Sequence, residues 1–197
     1  KNINIKYKYN FYIGFNYNDK CLNNKDILDI FNNDNLTIQV IEFNNTIKSG
    51  HLTKMWNELF EISYNENDYF YQLGDDIIFE NYNFLDIYIA RLNNNIGVTG
   101  YLTKNKTNIL TQSFVSKTHY LIFGFYFPES IKNWFCDDWI SNVYKKFNLY
   151  KPLGAKIINN GGCERYSVEG SNKKYLEELK TGSIVLGKYL DTTPKKY

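Results

Sequence analysis

Two pairs of adjacent aspartates are the residues of this chain whose type and spacing are best suited to chemistry. The first pair, Asp75 and Asp76, follows Gly74 at the end of an apolar and aromatic run that starts at Tyr69. Two neighbouring carboxylates repel each other unless a cation neutralises them. Oxygen-rich sites of this kind suit Mg²⁺ or Mn²⁺, ions that usually retain water and bridge to substrate phosphates. The first pair therefore indicates a site for a metal-bound phosphorylated ligand.

The second pair, Asp137 and Asp138, lies between large aromatic residues in the order Asn133-Trp-Phe-Cys-Asp-Asp-Trp-Ile140. Aromatic walls exclude water from a carboxylate and strengthen it as a general base. The alternative is a helix start, where an acid satisfies free N–H groups and the helix dipole. For Asp75 and Asp76 the alternative is an ordinary turn at a strand end. Spacing alone leaves both alternatives open.

The elements that must position these pairs alternate between strand and helix patterns. Apolar runs predict strands at residues 3–15, 36–43, 69–78, 96–100 and 110–115. Helical spacing predicts helices at residues 26–31, 52–62, 84–92, 117–123 and 134–147. This alternation indicates an α/β fold, a three-layer α/β/α sandwich with a mixed central sheet. A strand at 69–78 would deliver the first pair to its carboxyl end, where open α/β sheets keep their ligands. The tail after Ser167 has the weakest pattern.

Composition limits the class of protein. The chain has 197 residues, a formal net charge of +2 and 18% aromatic residues, which predicts one domain with a substantial core. The nearly balanced charge gives no electrostatic reason to expect a nucleic-acid partner. The cysteines, Cys21, Cys136 and Cys163, are scattered. We therefore expect free thiols in a reducing compartment rather than a zinc site or a disulfide framework.

Targeting cannot be read from this sequence. No run approaches the roughly 20 apolar residues that a membrane-spanning helix needs, and we expect no transmembrane segment. The N-terminus has no signal-peptide pattern, but the chain begins at Lys1 rather than Met, which is compatible with a fragment of a longer protein. The oligomeric state does not follow from the sequence either.

In this order, the segments resemble the catalytic domain of metal-dependent GT-A glycosyltransferases. Gly74-Asp75-Asp76 matches the Asp-x-Asp or equivalent motif of that fold, and Cys136-Asp-Asp-Trp139 matches a later acidic motif. With Gly100, the 109–115 segment and Phe127-Pro128, the resemblance covers roughly residues 8 to 170 and extends to a branch found in large DNA viruses and protists. It implies a Rossmann-like GT-A nucleotide-diphospho-sugar transferase fold, with residues 1–197 as a single catalytic domain.

The resemblance also implies ligands and roles. The donor would be a nucleotide sugar, the acceptor a hydroxyl of a glycan, protein or lipid, and the cofactor Mn²⁺ or Mg²⁺. Asp76 would bind the metal directly, and Asp75 would be a second ligand or a contact to the donor ribose. Asp138, or else Asp137, would remove a proton from the acceptor hydroxyl as it attacks the anomeric carbon with inversion.

Several further residues are candidates for contacts to the donor. Gly74 belongs to the metal motif itself. Lys54 and Asn57 match a helix that faces the donor sugar in this fold, and solvated surface is the alternative. Arg165 follows the Gly161-Gly162 pair and would supply a fixed cation to the diphosphate from a closing loop. An exposed arginine on a simple turn is the alternative for Arg165.

Aromatic residues and one histidine are candidates elsewhere in the site. Trp134 and Trp139 would stack on an acceptor sugar, although core packing is the alternative for at least one of them. His119 is a candidate metal ligand, against the more common structural role of a single histidine.

One departure from the family and two rival functions accompany this prediction. Residues 1–15 more closely resemble the second unit of the GT-A fold, so its first strand is expected to be missing. A metal-dependent phosphohydrolase or nuclease would also use clustered carboxylates, around two metal ions about 4 Å apart. A catalytically silent module that binds a nucleotide or glycan would keep the fold without the chemistry.

Overall fold

The structure is a computed structural model that describes residues 6–16, 36–79, 84–92, 94–105, 108–160, 167 and 169–193. The strands are β1 (Tyr9–Phe15), β2 (Leu36–Glu42), β3 (Tyr69–Tyr71), β4 (Ile77–Phe79), β5 (Val98–Thr103), β6 (Phe114–Ser116) and β7 (Tyr150–Asn159). The helices are α1 (Leu52–Ser63), α2 (Leu85–Arg91), α3 (Thr118–Phe123), α4 (Cys136–Lys145) and α5 (Asn172–Thr192). The protein is therefore of the mixed α/β class, as the sequence predicts.

Five strands form a mixed sheet in the order β3-β6-β5-β7-β4. β6 is antiparallel to both β3 and β5, whereas β7 is parallel to β5, so β3, β5 and β7 run in the same direction. β4 is antiparallel to β7. β1 and β2 form a separate two-stranded parallel sheet, in register from Tyr9 opposite Leu36 to Phe15 opposite Glu42.

Each face of the mixed sheet has its own apolar core. Consecutive residues of a strand point to opposite faces, and in β6 Val115 packs into the larger core while Phe114 packs into the smaller one. The larger core contains buried residues of α1, α3, α4 and α5. The smaller core contains Tyr88 of α2 with Tyr101 and Ile157. Helices therefore contribute to the cores on both faces of the sheet, which is the layering that buries a mixed sheet.

Helices α4 and α5 pack closely through Trp139. The indole is fully buried, and its Nε1 donates a hydrogen bond to the carbonyl oxygen of Glu178 at 3.1 Å. A Cβ atom on Gly182 would lie 3.0 Å from Trp139 and 3.2 Å from Val143. Glycine at this position therefore lets the two helices approach, at a cost in helix propensity that the packing offsets.

The structure corrects two expectations about secondary structure. The tail after Ser167 is not irregular, because α5 spans 21 residues; its glycines weaken the local helix signal, and packing against α4 restores the helix. The predicted strand at 69–78 is wrong as a single element. β3 ends at Tyr71, and β4 begins at Ile77 on the opposite edge of the sheet. Strand β7 was not predicted at all.

Most other predicted elements are confirmed. The helices predicted at 52–62, 84–92, 117–123 and 134–147 are present with ends shifted by one or two residues, and the strand predicted at 36–43 is β2. The predicted helical turn at 26–31 lies outside the described residues. Within the described part of the chain, no helix has the length and apolar character needed to cross a membrane.

The packing of α5 generates a prediction about stability. Leu186→Ala should lower the free energy of unfolding by about 2–5 kcal/mol, because Leu186 is fully buried and its loss leaves a cavity. The matched control on the same helix is Leu176→Ala, since Leu176 is 53% exposed, and it should change the free energy by less than about 0.5 kcal/mol. Urea unfolding measures both changes, and equal effects would contradict the helix placement.

Candidate functional site

The first acidic pair lies on a segment that crosses the end of the mixed sheet. Three main-chain hydrogen bonds hold this segment, Gln72–Asp76. Gln72 N donates to Ser113 O at 3.0 Å, Gly74 N donates to the side-chain Oε1 of Gln112 at 2.8 Å, and Asn160 N donates to Asp76 O at 2.8 Å. Because Ser113 precedes β6 and Asn160 follows β7, the segment is attached to two non-adjacent strands. Both aspartates therefore lie beyond the carboxyl end of β3.

The carboxylate of Asp76 lies close to the Cα atom of Gly74. A Cβ atom on Gly74 would be 2.6 Å from Asp76 Oδ1, which is shorter than any van der Waals contact. Glycine thus leaves the space that the Asp76 side chain occupies. Asp75 is exposed and Asp76 is partly exposed, so solvent and ligands can reach both.

The chemistry of this pair fits a shared cation site. Mg²⁺ is usually held by one or two carboxylates, with substrate phosphates and water supplying the other oxygens. Asp75 and Asp76 can supply that number of ligands. Among the described residues, no group of three or more His, Cys, Asp or Glu side chains is close enough to hold a metal ion. Two carboxylates do not by themselves enclose a divalent ion, so a metal at this turn and a phosphorylated ligand that completes its coordination stay predictions.

The second acidic pair occupies the first turn of α4. Asp137 and Asp138 are both partly exposed there, directly after Phe135, whose left-handed φ of +77° sets the start of the helix. The dipole at a helix N-terminus stabilises negative charge. The helix-start alternative thus explains why two acids occur here, and a role as base stays a prediction for both residues.

Buried Asn133 ties the approach to α4 to two other segments. Its Nδ2 donates to Gly50 O at 2.9 Å and to Ser167 O at 3.3 Å, while its Oδ1 accepts from Trp134 N at 2.6 Å and Glu169 N at 3.0 Å. All polar atoms of its side chain are therefore used, which offsets the cost of burying an amide.

The two acidic pairs are anchored at opposite ends of one short stretch of chain. Asn160 is bonded to Asp76, and Ser167 is bonded to Asn133 just ahead of α4. These anchors are seven residues apart in the sequence. A chain of that length spans at most about 25 Å. The chain connectivity therefore limits how far apart the two pairs can lie.

The residues that were predicted to contact the sugar donor lie in different structural environments. Asn57 of α1 binds the main chain of the loop after α3: its Oδ1 accepts from Tyr126 N at 3.0 Å and Phe127 N at 2.9 Å, and its Nδ2 donates to Phe127 O at 2.8 Å. These bonds give Asn57 a structural role that does not depend on a contact with a ligand. Lys54 is partly exposed on the same helix. Arg165 lies outside the described residues.

The predicted aromatic contacts separate into one surface residue and one core residue. Trp134 is 47% exposed, so its ring can reach a ligand. Trp139 is fully buried between α4 and α5, and a ring without exposed surface has no face to offer a sugar. Stacking by Trp139 is therefore not compatible with this structure, and core packing is its observed role.

The environment of His119 is that of a structural residue and not that of a metal ligand. Its Nδ1 is 2.8 Å from the Tyr144 hydroxyl, and its Nε2 is 3.0 Å from the carbonyl oxygen of Tyr126. Both ring nitrogens are thus occupied. Burial, which disfavours the imidazolium, lowers the pKa of His119 to about 4.

Sequence reasoning missed the residues that hold the site in place. Gln112, Asn133 and Asn160 all make hydrogen bonds that fix the two acidic pairs or their approach. A partial signal exists for Gln112, which is a large polar residue inside a segment otherwise interpreted as a buried strand. Asn160 bonds to Asp76 through its main-chain N–H, which almost any residue offers, and Asn133 does not stand out because asparagine is common throughout the chain.

Comparison with known proteins adds no relative. No protein-family model matches the chain, and neither curated proteins nor solved structures give a significant match. The function must accordingly be argued from the residues and geometry described above.

The contact between Gly74 and Asp76 generates a prediction. Gly74→Ala should displace the Asp76 carboxylate and weaken Mn²⁺ binding by roughly tenfold or more, as loss of an oriented ligand does. Gly154→Ala is the matched control, because a Cβ atom there meets nothing within 4 Å. Electron paramagnetic resonance of free Mn²⁺ measures both affinities. Unchanged binding by Gly74→Ala would mean that Asp76 is not a metal ligand.

The buried histidine generates a prediction about pH. Between pH 6.5 and about 4 the unfolded chain takes up a proton that native His119 does not, so stability falls as pH falls. This proton uptake lowers the free energy of unfolding by at most about 1.4 kcal/mol per pH unit. It has no effect at pH values above the pKa of histidine in the unfolded chain. Urea unfolding at pH 7, 6 and 5 should show a shallower loss for His119→Gln than for the wild type. Equal slopes for His119→Gln and the wild type would refute this assignment.

Proposed function

We propose that this protein is a metal-dependent glycosyltransferase of the GT-A type, which moves a sugar from a nucleotide-sugar donor to a hydroxyl acceptor with inversion. One observation carries the proposal: the Gly74-Asp75-Asp76 turn lies at the carboxyl end of β3, in a mixed sheet with helices packed on both faces. Open α/β sheets bind their ligands outside the carboxyl ends of the strands. Adjacent carboxylates at that place suit a diphosphate that brings its own divalent cation.

The arrangement of strands supports the same proposal. β1 and β2 run parallel to each other but stand apart from the five-stranded sheet in the described part of the chain. Side chains at Asn10 and Tyr12 of β1 bond to Asn67 and Glu66, which directly precede β3. Parallel strands are typical of α/β folds, so this pair is compatible with the architecture that the proposal requires.

On this proposal, the first pair binds the donor. Asp76 and Asp75 hold Mn²⁺ or Mg²⁺, which when bound neutralises charge on the departing diphosphate. Lys54 and Arg165 are the proposed cationic contacts to the same donor. The protein thereby orients the bond between the anomeric carbon and the phosphate oxygen toward the acceptor, and positioning of this kind supplies much of a rate enhancement.

The second pair acts on the acceptor. The acceptor oxygen forms a bond to the anomeric carbon while the bond from that carbon to the diphosphate breaks, and the acceptor proton passes to the carboxylate of Asp138, or else Asp137. General-base help of this kind is worth typically about 10²–10⁴-fold. Trp134, half exposed just before α4, offers a flat apolar face to the acceptor sugar.

The two rival functions would require different arrangements of acids or a different activity at the site. Two-metal phosphohydrolase chemistry needs Asp75, Asp76 and an acid of the second pair around ions about 4 Å apart. No such convergence of three acids occurs among the residues that the structure describes. A silent binding module would show metal-dependent nucleotide binding without sugar transfer.

Nucleotide binding is the first test. Thermal unfolding with a panel of nucleoside diphosphates and nucleotide sugars, each with Mn²⁺, Mg²⁺ or chelator, should give a metal-dependent rise in Tm for one base. A ligand at a hundred times its Kd stabilises by about 2.7 kcal/mol, or roughly 5–10 °C for a domain of this size. Asp76→Asn should abolish the shift, and Asp191→Asn, a control at an exposed position of α5, should retain it. No shift for any nucleotide would refute the donor site.

Sugar transfer is the second test. With the donor identified, Asp138→Asn should keep the metal-dependent Tm shift but lower kcat for transfer by roughly 100-fold or more, because the general base is lost. Asp137→Asn should have a smaller effect. Measured turnover that needs no acceptor, and that produces only free sugar or phosphate, would instead favour a hydrolase.

A further inference from the structure

The side chain of Gln112 touches the acidic turn from inside the protein. Gln112 is only 4% exposed, and its Oε1 accepts a hydrogen bond from Gly74 N at 2.8 Å. A buried amide costs free energy unless it is hydrogen-bonded. This bond satisfies the carbonyl end of the amide, and it ties the turn to the segment that precedes β6.

The main chain around Gln112 is held rigidly. A Cβ atom on Gly100 of β5 would lie 2.7 Å from Gln112 O, so glycine at position 100 lets β5 and the segment before β6 approach at this point. Gly100 also has a φ of +154°, which disfavours other residues. The neighbouring Ser113 O accepts from Gln72 N, and Ser113 Oγ lies 3.0 Å from the Tyr126 hydroxyl. The main chain that carries the Gln112 side chain is thus held by neighbouring residues.

Movement of Gly74 is coupled to the Asp76 carboxylate. Asp76 Oδ1 lies so close to Gly74 that a Cβ atom on Gly74 would be only 2.6 Å from it. The other end of the turn is held by the bond from Asn160 N to Asp76 O. A continuous line of contacts therefore runs from the sheet interior to the carboxylates, through Gly100, Gln112, Gly74 and Asp76.

We propose that Gln112 is a positioning residue, which fixes the Gly74-Asp75-Asp76 turn so that both carboxylates bind the same divalent cation. The inference rests on the proposed function, because it assigns a cation to this turn. Two adjacent carboxylates repel each other, so the free turn favours arrangements in which they diverge. The bond to Gly74 N restrains the turn against that tendency before the cation arrives.

Three variants test the role of Gln112. Gln112→Met has nearly the same shape but no acceptor for Gly74 N. Gln112→Glu keeps an acceptor oxygen at the same length. Gln72→Met is the matched control, since Gln72 is also buried, at 8% exposed, and its side chain bonds weakly to Ser113 Oγ at 3.5 Å rather than to the turn.

The measurement is the Kd for Mn²⁺ alone, obtained from electron paramagnetic resonance of the free ion, together with Tm in chelator. Gln112→Met should raise the Kd by about 10–100-fold, the usual effect of removing a residue that orients a metal ligand. Gln112→Glu should return to within about threefold of the wild type, because the acceptor is restored. Gln72→Met should lower Tm without changing the Kd, because the weak bond of its side chain to Ser113 Oγ does not reach the turn.

The outcomes separate the two proposals. If the wild type binds Mn²⁺ and Gln112→Met binds it equally well, Gln112 is structural and the inference is overturned while the proposed function stands. If Gln72→Met loses as much affinity as Gln112→Met, the effect is general loosening and the inference is likewise overturned. If the wild type binds no Mn²⁺, with or without a nucleoside diphosphate, both the inference and the proposed function fail.

Discussion

The arrangement of the mixed sheet depends on one short crossing of the chain. β3 and β4 are separated by the five residues Gln72–Asp76, yet they lie at opposite edges of a five-stranded sheet. In a flat sheet, four strand spacings amount to about 19 Å. Six peptide units from Tyr71 to Ile77 span at most about 21 Å. Because Asp75 and Asp76 also form a turn, the sheet must curl to bring β4 within reach. The segment has little slack, so the main chain that carries both carboxylates has little freedom to move.

Side-chain amides hold several loops of the protein. Gln112 binds the acidic turn, Asn133 joins the approach to α4 to the Gly50 loop, and Asn57 holds the loop after α3. In each case the side chain bonds to main-chain atoms, which loops must satisfy when no neighbouring strand or helix does so. Removing one such amide leaves its partners unsatisfied, which costs more than the bond itself contributes. These loops are thereby bonded to residues that are distant from them in the sequence.

The two acidic pairs differ in what their surroundings favour. Asp75 and Asp76 lie on a turn at the end of the sheet, a setting that favours aspartate in general but does not stabilise two neighbouring negative charges. Asp137 and Asp138 lie in the first turn of α4, where the dipole favours acids for structural reasons alone. The position of the first pair is therefore the more informative about function. For this reason, binding of the donor at the first pair should be tested before sugar transfer.

The sequence by itself determined the elements whose pattern is local. Helices α1 to α4 and strand β2 were predicted, because apolar spacing along a few turns is decided by residues close together in the chain. The location of Asp75 and Asp76 after a strand was likewise readable from the run that begins at Tyr69. Only the tertiary structure divided that run into β3 and β4, since pairing with β6 and β7 decides where each strand ends.

Tertiary packing also decided α5 and the burial of Trp139. The glycines of α5 weaken its local propensity, and only the close approach of α4 makes Gly182 favourable. The bonds of Gln112, Asn57 and Asn133 could not be predicted either, because each joins residues more than 30 positions apart. Such contacts depend on how whole elements meet, and a single sequence carries that information only through its fold.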